Sequence, residues 1–165
     1  MTMLKYFYDN DLVRIYDKTP TNWREAINVA SENLKEKNII TDEYVREVIK
    51  NVETNGAYIV ITPGVVMPHA LATGQGVLGT GIGFAKFSEP VSFEDGNPDK
   101  QGKLFFTLAA KDETQHLENI QNLMTLLMTD GMIEALSDIE TLADFVQVMG
   151  QFENTPAEQR GENDG

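Results

Sequence analysis

The stretch GAYIVITPGVVMPHA, Gly56 to Ala70, sets the frame for reading the chain. Tyr58–Thr62 is rich in β-branched and aromatic side chains, and its unbroken apolar character predicts a strand buried on both faces. Pro63-Gly64 interrupts it, and Val65–Met67 predicts a second short strand that runs into Pro68-His69. A proline fixes its own φ and holds the residue before it extended. His69 is therefore presented stiffly at a strand end, in a chain that has only two histidines.

Upstream the periodicity is helical. Trp23, Ile27, Ala30 and Leu34 fall on one stripe, with Thr21 or Asn22 placed to cap the start. Tyr44, Val45, Val48, Ile49 and Val52 form a second stripe that begins near Thr41-Asp42 and ends at Gly56. Before them, Leu4, Tyr6 and Tyr8 alternate, Asp9-Asn10-Asp11 reads as a turn, and Leu12, Val13 and Ile15 follow, so residues 4–16 predict one or two short strands.

Downstream, Ile82–Phe87 and Val91–Phe93 predict strands on either side of a Ser88-Glu89-Pro90 break. Glu94–Gly102 reads as a polar loop and Leu104–Ala110 as a strand. Helical spacing returns at Leu117, Ile120, Leu123 or Met124, and Leu127, then in a short segment from Met132 to Leu136. The last helix carries Ile139, Leu142, Phe145, Val146 and Met149 and ends at Gly150. Residues 153–165, ENTPAEQRGENDG, have no apolar period and predict a disordered tail. Irregular alternation of helix and strand gives an α/β class with a mixed sheet packed between helices, in one domain over 1–152.

The 165 residues suit one core. With 13 basic against 26 acidic residues the net charge is −13, so the basic footprint that nucleic acid demands is missing, and anionic membrane surfaces are disfavoured. The charge reads as a solubility device or as a field that steers a basic protein partner. Cysteine is absent, which removes disulfides, thiolate catalysis and cysteine zinc sites. No apolar run approaches the ~20 residues of a membrane span, and MTMLKYFYDNDLVRIY lacks the form of a signal peptide. The expected location is the cytoplasm.

The glycines of ATGQGVLGTGIG, residues 72–83, match the letters G-x-G-x-x-G at Gly74, Gly76 and Gly79. A dinucleotide fingerprint needs a helix directly after the glycines, and this segment leads into a strand. Neither histidine has a second ligand at helical spacing, so a metal would have to recruit both histidines and a distant carboxylate. His69 by itself also reads as a surface cap of its strand, and His116 as a helix-start residue bonded to its own turn. The alternative is that they meet. Strand ends that lead into helices gather on one edge of an α/β sheet. Two imidazoles across a shallow site form a phosphoryl-transfer arrangement, in which one ring attacks phosphorus and the other donates a hydrogen bond to the phosphoryl oxygens.

GAYIVITPGVVMPHA resembles the active-site segment of the IIA components of the bacterial phosphoenolpyruvate-dependent sugar phosphotransferase system. The class is mannitol/fructose, and the likeness is closest to the ascorbate-type branch. FTLAAKDETQHLENIQNL, residues 106–123, resembles the segment with that family's second active-site histidine. EPVSF and WREAINVASENL with IITDEYVREVIKNVETNGAY fit the same pattern, and the resemblance covers roughly residues 10–150. It implies a three-layer sandwich with a mixed β-sheet flanked by helices. It further implies that His69 accepts a phosphoryl group from the histidine-containing phosphocarrier protein and passes it to a IIB cysteine, with His116 as stabilising partner and no cofactor or metal. A homodimer is plausible in this branch. The family pattern places an arginine after the His-Ala pair, where this chain has Leu71, or upstream of the strand, where it has Asn51-Val52-Glu53-Thr54. Lys86 and Lys111 are the candidates to replace that charge. A related domain that senses phosphorylation and binds a protein without transport duty is the alternative reading.

Overall fold

The computed structural model describes residues 3–71 and 74–154. Its centre is a five-stranded sheet built from β1 (Val13–Ile15), β2 (Val60–Thr62), β3 (Gly64–Val66), β4 (Gly81–Ser92) and β5 (Gln101–Ala109). The strand order is β1-β4-β5-β3-β2. β1 runs parallel to β4 and β3 parallel to β5, whereas β4–β5 and β2–β3 are antiparallel, so the sheet is mixed.

Helices cover both faces. Side chains alternate across a strand, and partners on β4 and β5 show which helices lie where. Thr107 donates to the Ala30 carbonyl of α2 (Trp23–Ala30), and Gly83, its register partner, faces Asn33 of α3 (Glu32–Glu36). On the other face Phe84 packs against Phe106, ring centroids 5.0 Å apart, and meets Phe7 of α1 (Met3–Asp9) and Phe145 of α7 (Leu142–Met149). α4 (Asp42–Asn55) joins the α2 side, and α5 (Glu113–Leu127) and α6 (Met132–Ser137) complete the α1 side. The result is a three-layer α/β sandwich. Phe7, Phe84, Phe87, Phe105, Phe106 and Phe145 are fully buried in its two cores.

Buried Asn33 replaces a packing contact with bonding: its Nδ2 donates to the carbonyls of Leu12 and Phe84. Gly83 makes that approach possible, since a Cβ there would lie 2.4 Å from Asn33 Oδ1.

Several expectations are corrected. Residues 3–9 are a helix, because the buried pair is Leu4 and Phe7 at i, i+3, with Tyr8 left 43% exposed; only Val13–Ile15 is a strand. The Trp23–Leu34 stripe breaks into two helices at Ser31, whose Oγ donates to the Ile27 carbonyl. β2 is an edge strand rather than a doubly buried one, and Ile61 on it is exposed. The two strands around Ser88-Glu89-Pro90 are one strand with a wide bulge, for Lys86 pairs Leu104 while Val91 pairs Gly102. The loop expected at 94–102 contains a 3₁₀ turn at Pro98–Lys100, and β5 starts at Gln101. The last helix stops at Met149 and continues as a π turn over Gly150–Asn154; the rest of the expected tail lies outside the described residues. Among those residues no helix is long and apolar enough to cross a membrane.

Candidate active site

His69 follows β3 and His116 sits in the first turn of α5, directly after β5. β3 and β5 are parallel neighbours, so their C-terminal ends, and the residues beyond them, fall on the same edge of the sheet. The two imidazoles come together there, with ring centroids 5.5 Å apart and planes inclined by 46°. Both residues are half-buried, which leaves the pair in reach of a docking protein.

The segment bearing His69 is fastened residue by residue. Met67 N–H donates to the Ile59 carbonyl at 2.8 Å, and Leu108 N–H donates to the Pro68 carbonyl at 2.9 Å. Tyr58 Oη donates to the carbonyl of His69 itself at 2.5 Å. Ala70 N–H reaches Tyr44 Oη at 3.3 Å, and that hydroxyl donates on to the Leu108 carbonyl at 2.5 Å. Leu71 N–H donates to Asn51 Oδ1 at 2.8 Å. Five consecutive residues are thus bonded to partners on β5 and α4 and in the segment before β2. Burial raises the hydroxyl pKa of both Tyr44 and Tyr58, so they remain protonated donors. The Tyr58 ring also meets the His69 ring edge-on, 5.2 Å between centroids at 87°.

His69 Nδ1 lies 2.6 Å from the Met67 carbonyl oxygen. A carbonyl only accepts, so Nδ1 carries the hydrogen and the neutral ring has its lone pair on Nε2. Burial pushes the His69 pKa below its ordinary 6.5; the Met67 carbonyl draws it part of the way back, and His116 adds to the lowering. The neutral, nucleophilic form is therefore favoured at neutral pH.

His116 is positioned by the start of α5. Asp112 caps the helix by accepting from Gln115 N–H at 2.9 Å, and His116 N–H bonds the Asp112 carbonyl at 3.0 Å. Those two amides are spent and cannot serve an anion. Gln115 Oε1 accepts from Thr80 Oγ1 and from Lys111 N–H, tying the entry to β4 to the same turn. Asn119 Nδ2 donates to the Ala109 carbonyl.

The arginine position holds Leu71, 55% exposed, and Leu117, directly after His116 in the chain, is 56% exposed. Lys111 is exposed beside the helix start. Lys86 is remote: it pairs with Leu104, four residues and roughly 13 Å back along β5 from the edge that carries the histidines. The Gly74–Gly79 segment leads into β4, not into a helix. No group of three or more histidine, aspartate or glutamate side chains is arranged to hold a metal among the described residues.

Tyr44, Tyr58 and Asn51 are the positioning residues that sequence reasoning missed. Tyr44 carries a hydroxyl on an otherwise apolar helix face, and a buried phenol needs a partner; that was the available signal. Nothing in the letters marked Asn51.

The model of the phosphoenolpyruvate-dependent sugar phosphotransferase system, EIIA 2, matches residues 6–151. The mannitol-specific cryptic phosphotransferase enzyme IIA component of Escherichia coli (strain K12) is 33% identical over 149 residues, covering 88% of this chain and 98% of that protein. A solution structure of the same enzyme type from Escherichia coli aligns with a TM-score of 0.76 at 29% identity, over 92% of this chain and 99% of that one. The ascorbate-specific EIIA component of Salmonella typhi is 27% identical over 144 residues, covering 86% and 90%. The fold also matches, at a TM-score of 0.69 and 22% identity over 84% and 94% of the chains, a complex of enzyme IIAMTL and phosphorylated enzyme IIBMTL from Escherichia coli.

Proposed function

The chain belongs to the phosphoenolpyruvate-dependent sugar phosphotransferase system EIIA 2 family, and on that premise we propose that it is a phosphocarrier in which His69 accepts a phosphoryl group from the histidine-containing phosphocarrier protein and hands it to a cysteine of a IIB component. The observation that carries the reading is the imidazole pair at 5.5 Å with the Nδ1 of His69 engaged by the Met67 carbonyl.

The step balances without further reagents. The Nε2 lone pair of neutral His69 attacks phosphorus; the new Nε2–P bond forms as the P–N bond of the donor phosphohistidine breaks, and the donor ring leaves with the electron pair. The Nδ1 proton stays in place, and the positive charge that develops on the ring is shared with the Met67 carbonyl. That charge makes His69 a good leaving group in the second half, when a IIB thiolate attacks phosphorus. His116 donates a hydrogen bond to a phosphoryl oxygen throughout. The clamp on residues 67–71 holds the nucleophile in one orientation, which lowers the entropy cost of reaching the transition state.

Exposed Leu71 and Leu117 lie within two residues of His69 and His116 along the chain and offer apolar surface to a docking protein, and the net charge of −13 steers a basic donor towards the site. The Escherichia coli complex of a IIA protein with its phosphorylated IIB supports the outgoing half of the relay. The second reading, a phospho-sensing domain, is favoured by one observation: exposed Leu71 stands where the family pattern places an arginine after the His-Ala pair.

Rapid-quench transfer from the phosphorylated chain to a IIB protein separates the two. The relay reading expects transfer within seconds, slowed by one to two powers of ten in His116→Ala, the loss of a hydrogen bond to a charged group. A phosphorylated chain that gives nothing to any IIB partner supports the sensing role.

A further inference from the structure

A cavity of about 380 Å³ opens where the end of β1, the bulge of β4, the start of β5 and the link between α6 and α7 meet. Lys86, Lys103, Asp17, Glu89, Asp138 and Glu140 line it. It shares no residue with the histidine pair.

The Lys86 side chain is unusual. The residue is 5% exposed and belongs to β4, between Ile15 and Leu104. Among the described residues its ammonium makes no hydrogen bond and no ion pair. Burial and the nearby charge of Lys103 both press its pKa downwards, while Glu140, Asp138 and Asp144 act on it only at a distance. Buried ammonium groups are ordinarily paired, since removing one from water without a partner is costly. Neither Lys103 nor any of the four lining carboxylates pairs with Lys86, and none of them forms an ion pair elsewhere in the described chain. Two unpartnered ammonium groups lining one recess can hold an anionic group between them, and the carboxylates around it are acceptors for hydroxyl groups.

The cavity is also built rather than incidental. The bulge sets Lys86–Val91 of β4 against only Leu104–Gly102 of β5, and Thr19 fixes it, its Oγ1 lying 3.0 Å from Ser88 Oγ and accepting from Glu89 N–H at 2.8 Å. Bulges of this kind re-aim side chains next to sites.

We propose that this cavity binds a small polyhydroxylated anion, a sugar phosphate or sugar acid, with the anionic group between Lys86 and Lys103 and its hydroxyls donating to the surrounding carboxylates. The site is independent of phosphoryl transfer at His69.

Titration of the ¹⁵N-labelled chain with glucose 6-phosphate, gluconate, inorganic phosphate and sorbitol tests it. Saturable shifts confined to residues 15–17, 86–90, 103 and 137–140 are expected with glucose 6-phosphate or gluconate, and which of the two binds more tightly identifies the anionic group. Inorganic phosphate and sorbitol should bind at least tenfold more weakly. Lys86→Met should weaken binding at least tenfold while keeping phosphorylation at His69 and a folding midpoint no lower than the parent, since an unpaired buried charge is removed. Lys103→Gln, at a more open position, should weaken it severalfold and serves if Lys86→Met fails to fold. No saturable response to either polyhydroxylated anion, equal binding of inorganic phosphate or sorbitol, shifts centred on Ala70 and His116, or binding unchanged in both lysine variants would overturn the proposal.

Discussion

The Nδ1 of His69 sits 2.6 Å from the carbonyl oxygen of Met67, two residues back along its own chain. In the proposed transfer this contact leaves Nε2 as the attacking atom. Because Nδ1 must donate, phosphorus is expected on Nε2, and the phosphorylated protein should show ³¹P–¹⁵N coupling to Nε2 of one histidine with a retained Nδ1 proton. Coupling to Nδ1 would mean that the Met67 contact breaks before transfer.

The lowered pKa of His69 has a pH consequence with a definite sign. The unfolded ring titrates near 6.5 and the folded ring below it, chiefly through burial. Between those two values the unfolded chain binds more protons, so stability falls as pH drops through 6.5 and levels off below the folded pKa. Above 6.5 the group contributes no pH dependence. Urea midpoints of the parent and His69→Gln, measured from pH 8 to pH 5, should diverge below 6.5, with the variant losing less stability on acidification.

Tyr58 holds the His69 carbonyl through one hydroxyl. Tyr58→Phe keeps the edge-on ring and deletes only that bond, so it should cost about 1 kcal/mol in chemical denaturation. Onward phosphoryl transfer should slow more than donor docking weakens, a split visible as a fall in kcat with KM for the phosphocarrier protein nearly constant. Tyr58→Ala should lose both.

The course of the fold was readable where one signal dominated. The α4 and α5 stripes and the β5 run gave their elements directly, and the idea that strand ends leading into helices share an edge brought His69 and His116 to one place. The reading failed where two periods competed. Leu4, Tyr6 and Tyr8 alternate like a strand, yet Leu4 and Phe7 are the residues buried. β2 is apolar enough for the interior but has no neighbour beyond it, a fact of topology that no local window contains. The clamp from Tyr44, Tyr58 and Asn51 depends on which backbone atoms the fold brings near, and composition does not encode that.

The contact between Gly83 and Asn33 offers a structural check away from the site. Gly83→Ala places a methyl against the Asn33 amide and should cost ~1–3 kcal/mol. Asn33→Ala strips two carbonyls, those of Leu12 and Phe84, of a donor and should be destabilising alone. Together the two should cost clearly less than their sum, because the smaller side chain makes room for the methyl. Additivity in urea titrations would show that the crowding is relieved elsewhere.

The central claim is that His69 is the phosphoryl acceptor, and intact mass tests it most directly. With phosphoenolpyruvate, the general first enzyme of the pathway and the histidine-containing phosphocarrier protein, the chain should gain one acid-labile phosphoryl group, about 80 Da by the mass of HPO₃ added at a single nitrogen. His69→Ala should gain none, while His116→Ala should still be phosphorylated. A parent chain that stays at its starting mass, or a His69→Ala chain that gains the group, would contradict the account.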